Sequence, residues 1–362
     1  MHVALLCNTA WLDEELTMFR YMVVGLLDEN VRVVQVVPDR LPVEEFSSFG
    51  ARLSWKDTHW EFLRRRRLNR LANELQEQGV DLIHAMDGRL WSAALQLGEQ
   101  LKCPVVLSAN SYLDLPLAEK LLKRYAEQRV SVIASTQPLA QAIEKYIQPQ
   151  HLLQHIPPGV HPGKDSPPAT PSSGTLCAVI SGTDYIDSDY EAMLLGLVPI
   201  VSAYPQAQFF LDSHGHGNDQ RLVWQVARKL GLLSNISLVP RRLGHRELLL
   251  GADVLIHPQP AGRTRSLTLQ AMASSMPVIA HADPWLDYLL HDKTAWVIER
   301  PNPEIWTQAI ERLIHQPQDG HQLGRLARQW VAEKHLASDH VGQLITLYQQ
   351  TLGESYKFPG RS

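Results

Sequence analysis

Residues able to handle an anion or a proton gather at a few places along this chain, and the densest run lies between Asp253 and Ala280, DVLIHPQPAGRTRSLTLQAMASSMPVIA. An apolar run (Val254, Leu255, Ile256) leads into a loop marked by Pro258, Pro260 and Gly262. A helical pattern through Leu267, Leu269, Met272 and Ala273 follows, then a second apolar run after Pro277. Ser266 stands where a helix cap belongs, and the loop carries Arg263 and Arg265. A helix N-terminus at the carboxyl end of a parallel strand offers N–H groups and the positive end of a dipole, which suits a phosphate or carboxylate. The two arginines fit that chemistry, and they fit ordinary loop charge as well. Two further polar residues close apolar runs near the start of the chain: His84 in DLIHAMDG and Asn110 after VVLSA. Side chains at carboxyl strand ends line ligand clefts in doubly wound sheets, so His84, Asp87 and Asn110 are site candidates. For His84 the alternative is a buried, hydrogen-bonded strand-end residue.

The elements that must position these groups alternate between short apolar runs and helical patterns. Val3 to Cys7, a helical stretch through Leu16, Phe19, Val23 and Leu27, and Val31 to Val37 read as strand, helix and parallel strand. Asp13, Glu14 and Glu15 read as first-turn acids of that helix. Trp55 to Gln78 reads as one helix, with Leu63, Leu68, Leu71 and Leu75 on an apolar stripe with Trp60, and Arg64, Arg65, Arg66, Arg67 and Arg70 on the other face. That basic face fits a solvated surface, or a contact with an anionic membrane or an acidic acceptor. HPGKDSPPATPSSG lacks apolar periodicity and reads as a linker. Beyond it, Leu176 to Ser181, Ala207 to Asp212 and Ile236 to Val239 are further strands, the last leading to Arg241 and Arg242.

Composition sets the outer limits. The 362 residues suffice for two domains of ordinary size, and 44% hydrophobic with 20% charged residues is the balance of a soluble globular protein. With 34 basic against 38 acidic residues the formal charge is −4, so no global field points to nucleic acid. Cys7, Cys103 and Cys177 lie far apart in apolar surroundings, as small core residues of a reducing compartment. Neither they nor the sixteen histidines show zinc-ligand spacing, so no metal is expected. MHVALLCNTAW lacks a basic n-region and is too short to span a bilayer; it reads as a buried strand of a cytoplasmic protein, peripheral at a membrane if the arginine face binds one.

Taken together, these motifs resemble the family-four nucleotide-sugar glycosyltransferases. Gln270 to Ala273 and Pro277 to Ala280 sit in the frame of that family's EAMA-type helix and PVIA-type strand. DLIHAMDG is similar to its DVIHAHD stretch, VVLSAN to VVLTVHD, and HIPPGVHP to the IPNGVD turn that ends the first domain. The resemblance implies an α/β chain of the GT-B fold, two Rossmann-like parallel-sheet domains facing an interdomain cleft. On that frame residues 1–160 form the acceptor-side domain, 161–174 the linker and 175–335 the nucleotide-sugar-side domain. Residues 336–362 form a helix crossing back to the first domain and a tail. The implied activity moves a sugar from a nucleotide-sugar donor to a saccharide or lipid acceptor, the donor being a substrate, with no cofactor. His84 and Asn110 are the implied catalytic positions; Gly182, Thr183, Arg241, Arg242, Arg263, Arg265, Ser266 and Gln270 are the donor-binding ones. The family's two donor-site acids fall on Gly262 and Gln270, and its diphosphate-holding Arg and Lys on Thr183 and Ser188. Its glycine-rich first loop is replaced by residues 8–20, which contain no glycine. Two readings follow: a divergent enzyme in which Arg263 and Arg265 replace the lost cations, and a catalytically silent GT-B protein that binds a ligand or partner.

Overall fold

Most of the described strands are short apolar runs because both sheets are parallel and covered by helices. The computed structural model describes residues 1–38, 50–55, 61–162, 175–181, 187–212, 218–239, 249 and 251–353. Two compact units result, Met1–Gly159 with Ala337–Ser362, and Val160–Leu336.

The first unit holds seven parallel strands: β1 His2–Leu6, β2 Arg32–Pro38, β3 Ala51–Trp55, β4 Leu82–Ala85, β5 Val105–Ala109, β6 Val130–Ala134 and β7 Leu152–His155, ordered β3-β2-β1-β4-β5-β6-β7. The order reverses between β1 and β4, the switch point of a doubly wound sheet. Its helices are α1 Thr9–Asp28, α2 Glu61–Glu77, α3 Trp91–Leu101, α4 Leu115–Arg124, α5 Gln137–Glu144 and, returning at the far end of the chain, α11 Ala337–Leu352. Val3, Leu5, Phe19 and Met22 share one core with Val341, Leu344 and Tyr348 of α11; Leu68, Leu71 and Leu75 of α2 join the other with Trp91 and Leu95.

The second unit holds β8 Cys177–Ser181, β9 Gln208–Asp212, β10 Ile236–Val239, β11 Val254–His257, β12 Val278–His281 and β13 Trp296–Ile298, ordered β10-β9-β8-β11-β12-β13 and parallel throughout. α6 Ser188–Ala203, α7 Asn218–Lys229, α8 Ser266–Ala273, α9 Pro303–His315 and α10 Pro317–Lys334 pack around it. No helix among the described residues is long and apolar enough to cross a membrane.

Three local expectations are corrected. Trp55 does not begin a helix: it closes β3, opposite Pro38, and is 5% exposed in the core beneath α2. Leu63, placed on the apolar stripe, is 40% exposed, because α2 turns Leu68, Leu71 and Leu75 inward instead. Asp13, Glu14 and Glu15 are not first-turn acids, since Asn8 caps α1 by accepting from the Trp11 N–H at 2.9 Å and the helix starts a turn earlier. Glu14 and Glu15 are buried, and Glu15 has non-helical torsions (φ −118°, ψ 15°) where α1 kinks. The strands β3 and β7 and the helix α4 had no counterpart in the sequence reading.

Candidate functional site

Four neighbouring strands of the second unit end on a polar residue. Read across the sheet, they are Asp212 (β9), Ser181 (β8), His257 (β11) and His281 (β12), all buried. Each follows an apolar run that holds its strand inside the sheet, so the row forms the floor of the carboxyl edge. Ser181 Oγ and His257 Nδ1 are 2.8 Å apart, whereas His257 Nε2 is buried with no hydrogen-bond partner. Burial chiefly, then the charges of Arg265 and His281, lower the His257 pKa to about 3, so its ring is neutral and offers one open nitrogen. His281 Nδ1 lies 3.3 Å from Asp189 Oδ2 in the first turn of α6, a helix capped by Asp187.

The loop from Pro258 to Arg265 roofs this edge and delivers α8. Gly262 takes φ +56°, and its N–H donates to Asp283 Oδ2 at 2.7 Å. Asp283 Oδ1 accepts from the Trp285 N–H at 2.9 Å; burial still raises the Asp283 pKa. Arg265, not Ser266, is the cap residue of α8, and its side chain makes no capping hydrogen bond. Ser266 is its first helical residue, its Oγ accepting from Gln270 Nε2 at 3.1 Å. Gln270 Oε1 and Thr268 Oγ1 are buried without a partner. Buried polar atoms are normally satisfied, so Gln270 Oε1, Thr268 Oγ1 and His257 Nε2 stand out along this edge.

Arg265 is 4% exposed, which removes the reading of it as solvated loop charge. Its guanidinium acts on His257 and, against Asp212, on the hydroxyl of Tyr190, whose pKa burial raises first. Arg263 is half-buried. Gly182, Thr183, Arg241 and Arg242 lie outside the described residues. Ser188 is the first residue of α6. The structure therefore gathers Arg265, Ser266 and Gln270 with His257, Thr268 and His281, three residues the sequence reading did not single out. The signal was there: each of Ser181, Asp212, His257 and His281 directly follows an apolar run.

In the first unit, His84 is fully buried, its Nδ1 2.6 Å from Tyr348 Oη and its Nε2 2.8 Å from Ser108 Oγ. Burial, then the charge of His340, lower its pKa to about 3. With both ring nitrogens engaged inside its own unit, His84 has the geometry of a hydrogen-bonded strand-end residue and not of a side chain turned to a ligand. Asp87 caps the turn Gly88–Leu90 through the Arg89 N–H at 2.9 Å. Asn110 is half-buried, Nδ2 donating to Met86 O at 2.8 Å and its N–H to Asp114 Oδ2 at 2.9 Å.

Two parallel-sheet Rossmann-like units of this build are those of the GT-B fold. Residues 17–164 match Glycosyltransferase Family 4 and residues 206–330 match Glycosyl transferases group 1, so the chain carries glycosyltransferase domains and resembles the family-four nucleotide-sugar enzymes. No curated protein matches it by sequence. Among solved structures, Anabaena Alr3699/HepE in complex with UDP and glucose superposes with a TM-score of 0.77 at 14% identity, over 97% of this chain and 100% of that one. A glycosyltransferase from Rickettsia africae gives 0.74 at 12% identity, over 98% and 99%. Sucrose-phosphate synthase from Thermosynechococcus elongatus gives 0.72 at 16%, over 98% and 100%.

Proposed function

We propose that this protein transfers a sugar from a nucleotide-sugar donor, and that the donor binds on the carboxyl edge of the second unit's sheet. The observation that carries the proposal is the trio of buried, unpartnered polar atoms, His257 Nε2, Thr268 Oγ1 and Gln270 Oε1, beside the buried Arg265 and the start of α8. The diphosphate suits the α8 N-terminus and the Arg265 cation, which together supply the positive field that the uncharged Ser188 does not. Gln270 Oε1 is an acceptor for a nucleotide ribose hydroxyl, its Nε2 being held by Ser266. His257 offers a neutral nitrogen to a phosphate or sugar oxygen.

In the reaction, an acceptor hydroxyl oxygen bonds to the anomeric carbon as the bond from that carbon to the diphosphate oxygen breaks. The electron pair leaves with the diphosphate, and the hydroxyl proton passes to a base or to that leaving group. Donors fixed around the departing charge contribute most to the rate; each is worth about 10²–10³ in turnover. Arg265 and the helix start are those donors here.

Uridine donors come first in the test, because the Anabaena neighbour holds UDP and glucose. Calorimetric titration with UDP and UDP-sugars, and then with the other common nucleoside diphosphates and their sugars, is paired with an assay of nucleotide release. Saturable binding that weakens in His257→Phe and Gln270→Ala, together with release of the diphosphate, is the expected result. Binding without release makes the chain a silent GT-B protein, and no binding by any nucleoside diphosphate overturns the site.

A further inference from the structure

The loop between β11 and α8 is gripped from the neighbouring strand. β11 and β12 are paired, Leu255 opposite Val278 and His257 opposite Ala280, so the segments leaving their carboxyl ends start side by side. Asp283, just past the end of β12, is 7% exposed, and both of its carboxylate oxygens accept from backbone. Oδ1 takes the Trp285 N–H at 2.9 Å, an Asx turn around Pro284, and Oδ2 reaches across to the Gly262 N–H at 2.7 Å. The side chain is thus oriented by its own segment and holds the other one. Burial raises its pKa above the ordinary 3.8, against the opposing pull of the two N–H groups and His281.

A neutral acceptor would also hold a loop. A buried carboxylate costs more to desolvate, but its bond to an N–H is shorter and stronger. What that bond fixes is a turn: Gly262, at φ +56°, stands three residues before Arg265, the cap of α8. Freeing the Gly262 N–H would let the turn shift, and Arg265 and the start of α8 with it. The opposite edge of the same sheet carries a matched carboxylate. Asp253, ahead of β11, is 8% exposed, accepts the Cys177 N–H at 2.7 Å, and also has its pKa raised by burial. It ties β8 to β11 at their amino ends, away from the proposed donor groups. We infer that Asp283 is a positioning residue for the donor, fixing through Gly262 the turn that aims Arg265 and the start of α8 at the diphosphate. The inference rests on the donor site proposed above.

Two substitutions keep the Asx-type turn and lose the cross-loop bond. Asp283→Asn has one acceptor oxygen for two N–H groups, and Asp283→Ser can serve Trp285 but is too short to reach Gly262. Asp253→Asn is the control. In titrations with UDP-glucose, affinity is expected to fall by about tenfold in both Asp283 variants and to hold in Asp253→Asn, even where all three melt at lower temperature. Without nucleotide, amide hydrogen exchange across residues 258–270 should quicken in the Asp283 variants alone, with protection of β8 and β11 retained as the check on folding. The natural protein should also bind UDP-glucose more weakly as pH falls, because Asp283 takes up a proton earlier than an ordinary carboxylate and becomes a weaker acceptor. The diphosphate diester of that ligand stays ionised throughout. His257, His281, Asp189 and Arg265 are common to both proteins, so a flatter profile in Asp283→Asn isolates Asp283. Undiminished affinity in the Asp283 variants, an equal loss in Asp253→Asn, unchanged exchange in the loop, or parallel pH profiles each overturns the inference. If the natural protein binds no nucleotide sugar, the donor site falls and this role with it; if the natural protein and the Asp283 variants bind alike, this role alone falls.

Discussion

His84, one residue before the end of β4, and His257, the last residue of β11, lie in two separate sheets, and both are neutral because burial lowers their pKa to about 3. They differ in what remains open: both His84 nitrogens are used, and one nitrogen of His257 is not. The pH dependence follows from the sign of the shift. A folded-state pKa below the ordinary 6.5 means that the unfolded chain binds the proton first. The stability tied to the neutral ring is whole above about pH 6.5 and is lost as pH falls toward 3, at up to about 1.4 kcal/mol per pH unit for each group. Thermal melts between those pH values should therefore be steeper for the natural protein than for His84→Gln; equal slopes would remove His84 as a buried neutral group. The two arginines separate at this scale too. Arg263→Ala, at a half-buried loop position, should change stability by less than about 0.5 kcal/mol. Arg265→Ala empties the volume of a side chain that is only 4% exposed, and should cost more, about 2–5 kcal/mol. Chemical denaturation of both variants measures the difference. The arginine pair was legible in the sequence, but its asymmetry was not, because nothing in GRTRS distinguishes a side chain that folds under the loop from one that stays at its surface.

Elements decide what the substituted family positions can become. Gly262 stands where the family has an acid, yet its φ of +56° and its N–H bond to Asp283 belong to a glycine turn. Gly262→Glu should cost about 1–2 kcal/mol for the left-handed backbone and recover no nucleotide affinity. Gln270→Glu meets no such obstacle: Ser266 Oγ turns from acceptor to donor, and the added charge faces the proposed ribose. Nucleotide affinity in that variant should rise by roughly 1.5 kcal/mol, about tenfold, by titration calorimetry. A fall in affinity would place the ribose elsewhere. The helix that carries these groups is itself seated by a close approach, since a Cβ on Gly324 of α10 would stand 1.9 Å from Ser275 O, just past the end of α8. Most strands were readable as apolar runs because sheets buried on both faces demand them. β3 escaped because its ARLSW has no such run, and α4 because a proline and flanking polar residues break its start.

At the scale of the whole molecule the chain leaves its first unit at Gly159 and re-enters it at Ala337, so the first core is completed by its last helix. Val341, Leu344, Ile345, Leu347 and Tyr348 of α11 lie in one core with residues of β1 and α1, and a Cβ on Gly25 of α1 would stand 2.8 Å from Val341 Cγ2. Polar ties accompany the packing: Tyr348 Oη with His84, Thr351 Oγ1 with Ser131 Oγ at 2.6 Å, and His340 Nδ1 with Pro157 O at 2.8 Å. Burying five such side chains stabilises by roughly 1.5–3 kcal/mol each, a sum comparable to the whole stability of a domain, about 5–15 kcal/mol. A chain ending at Leu336 should therefore lose hydrogen-exchange protection in β1, β4 and β5. Protection in β8, β11 and β12 should persist, because the second unit has cores of its own. The milder change Tyr348→Phe keeps the packing and strips one partner from buried His84. It should cost about 1–3 kcal/mol, felt in the first unit's strands and not the second's. If truncation left both sets of strands equally protected, α11 would be an accessory on the first unit rather than part of its core, and the buried Tyr348–His84 bond would have to be weaker than its 2.6 Å length implies.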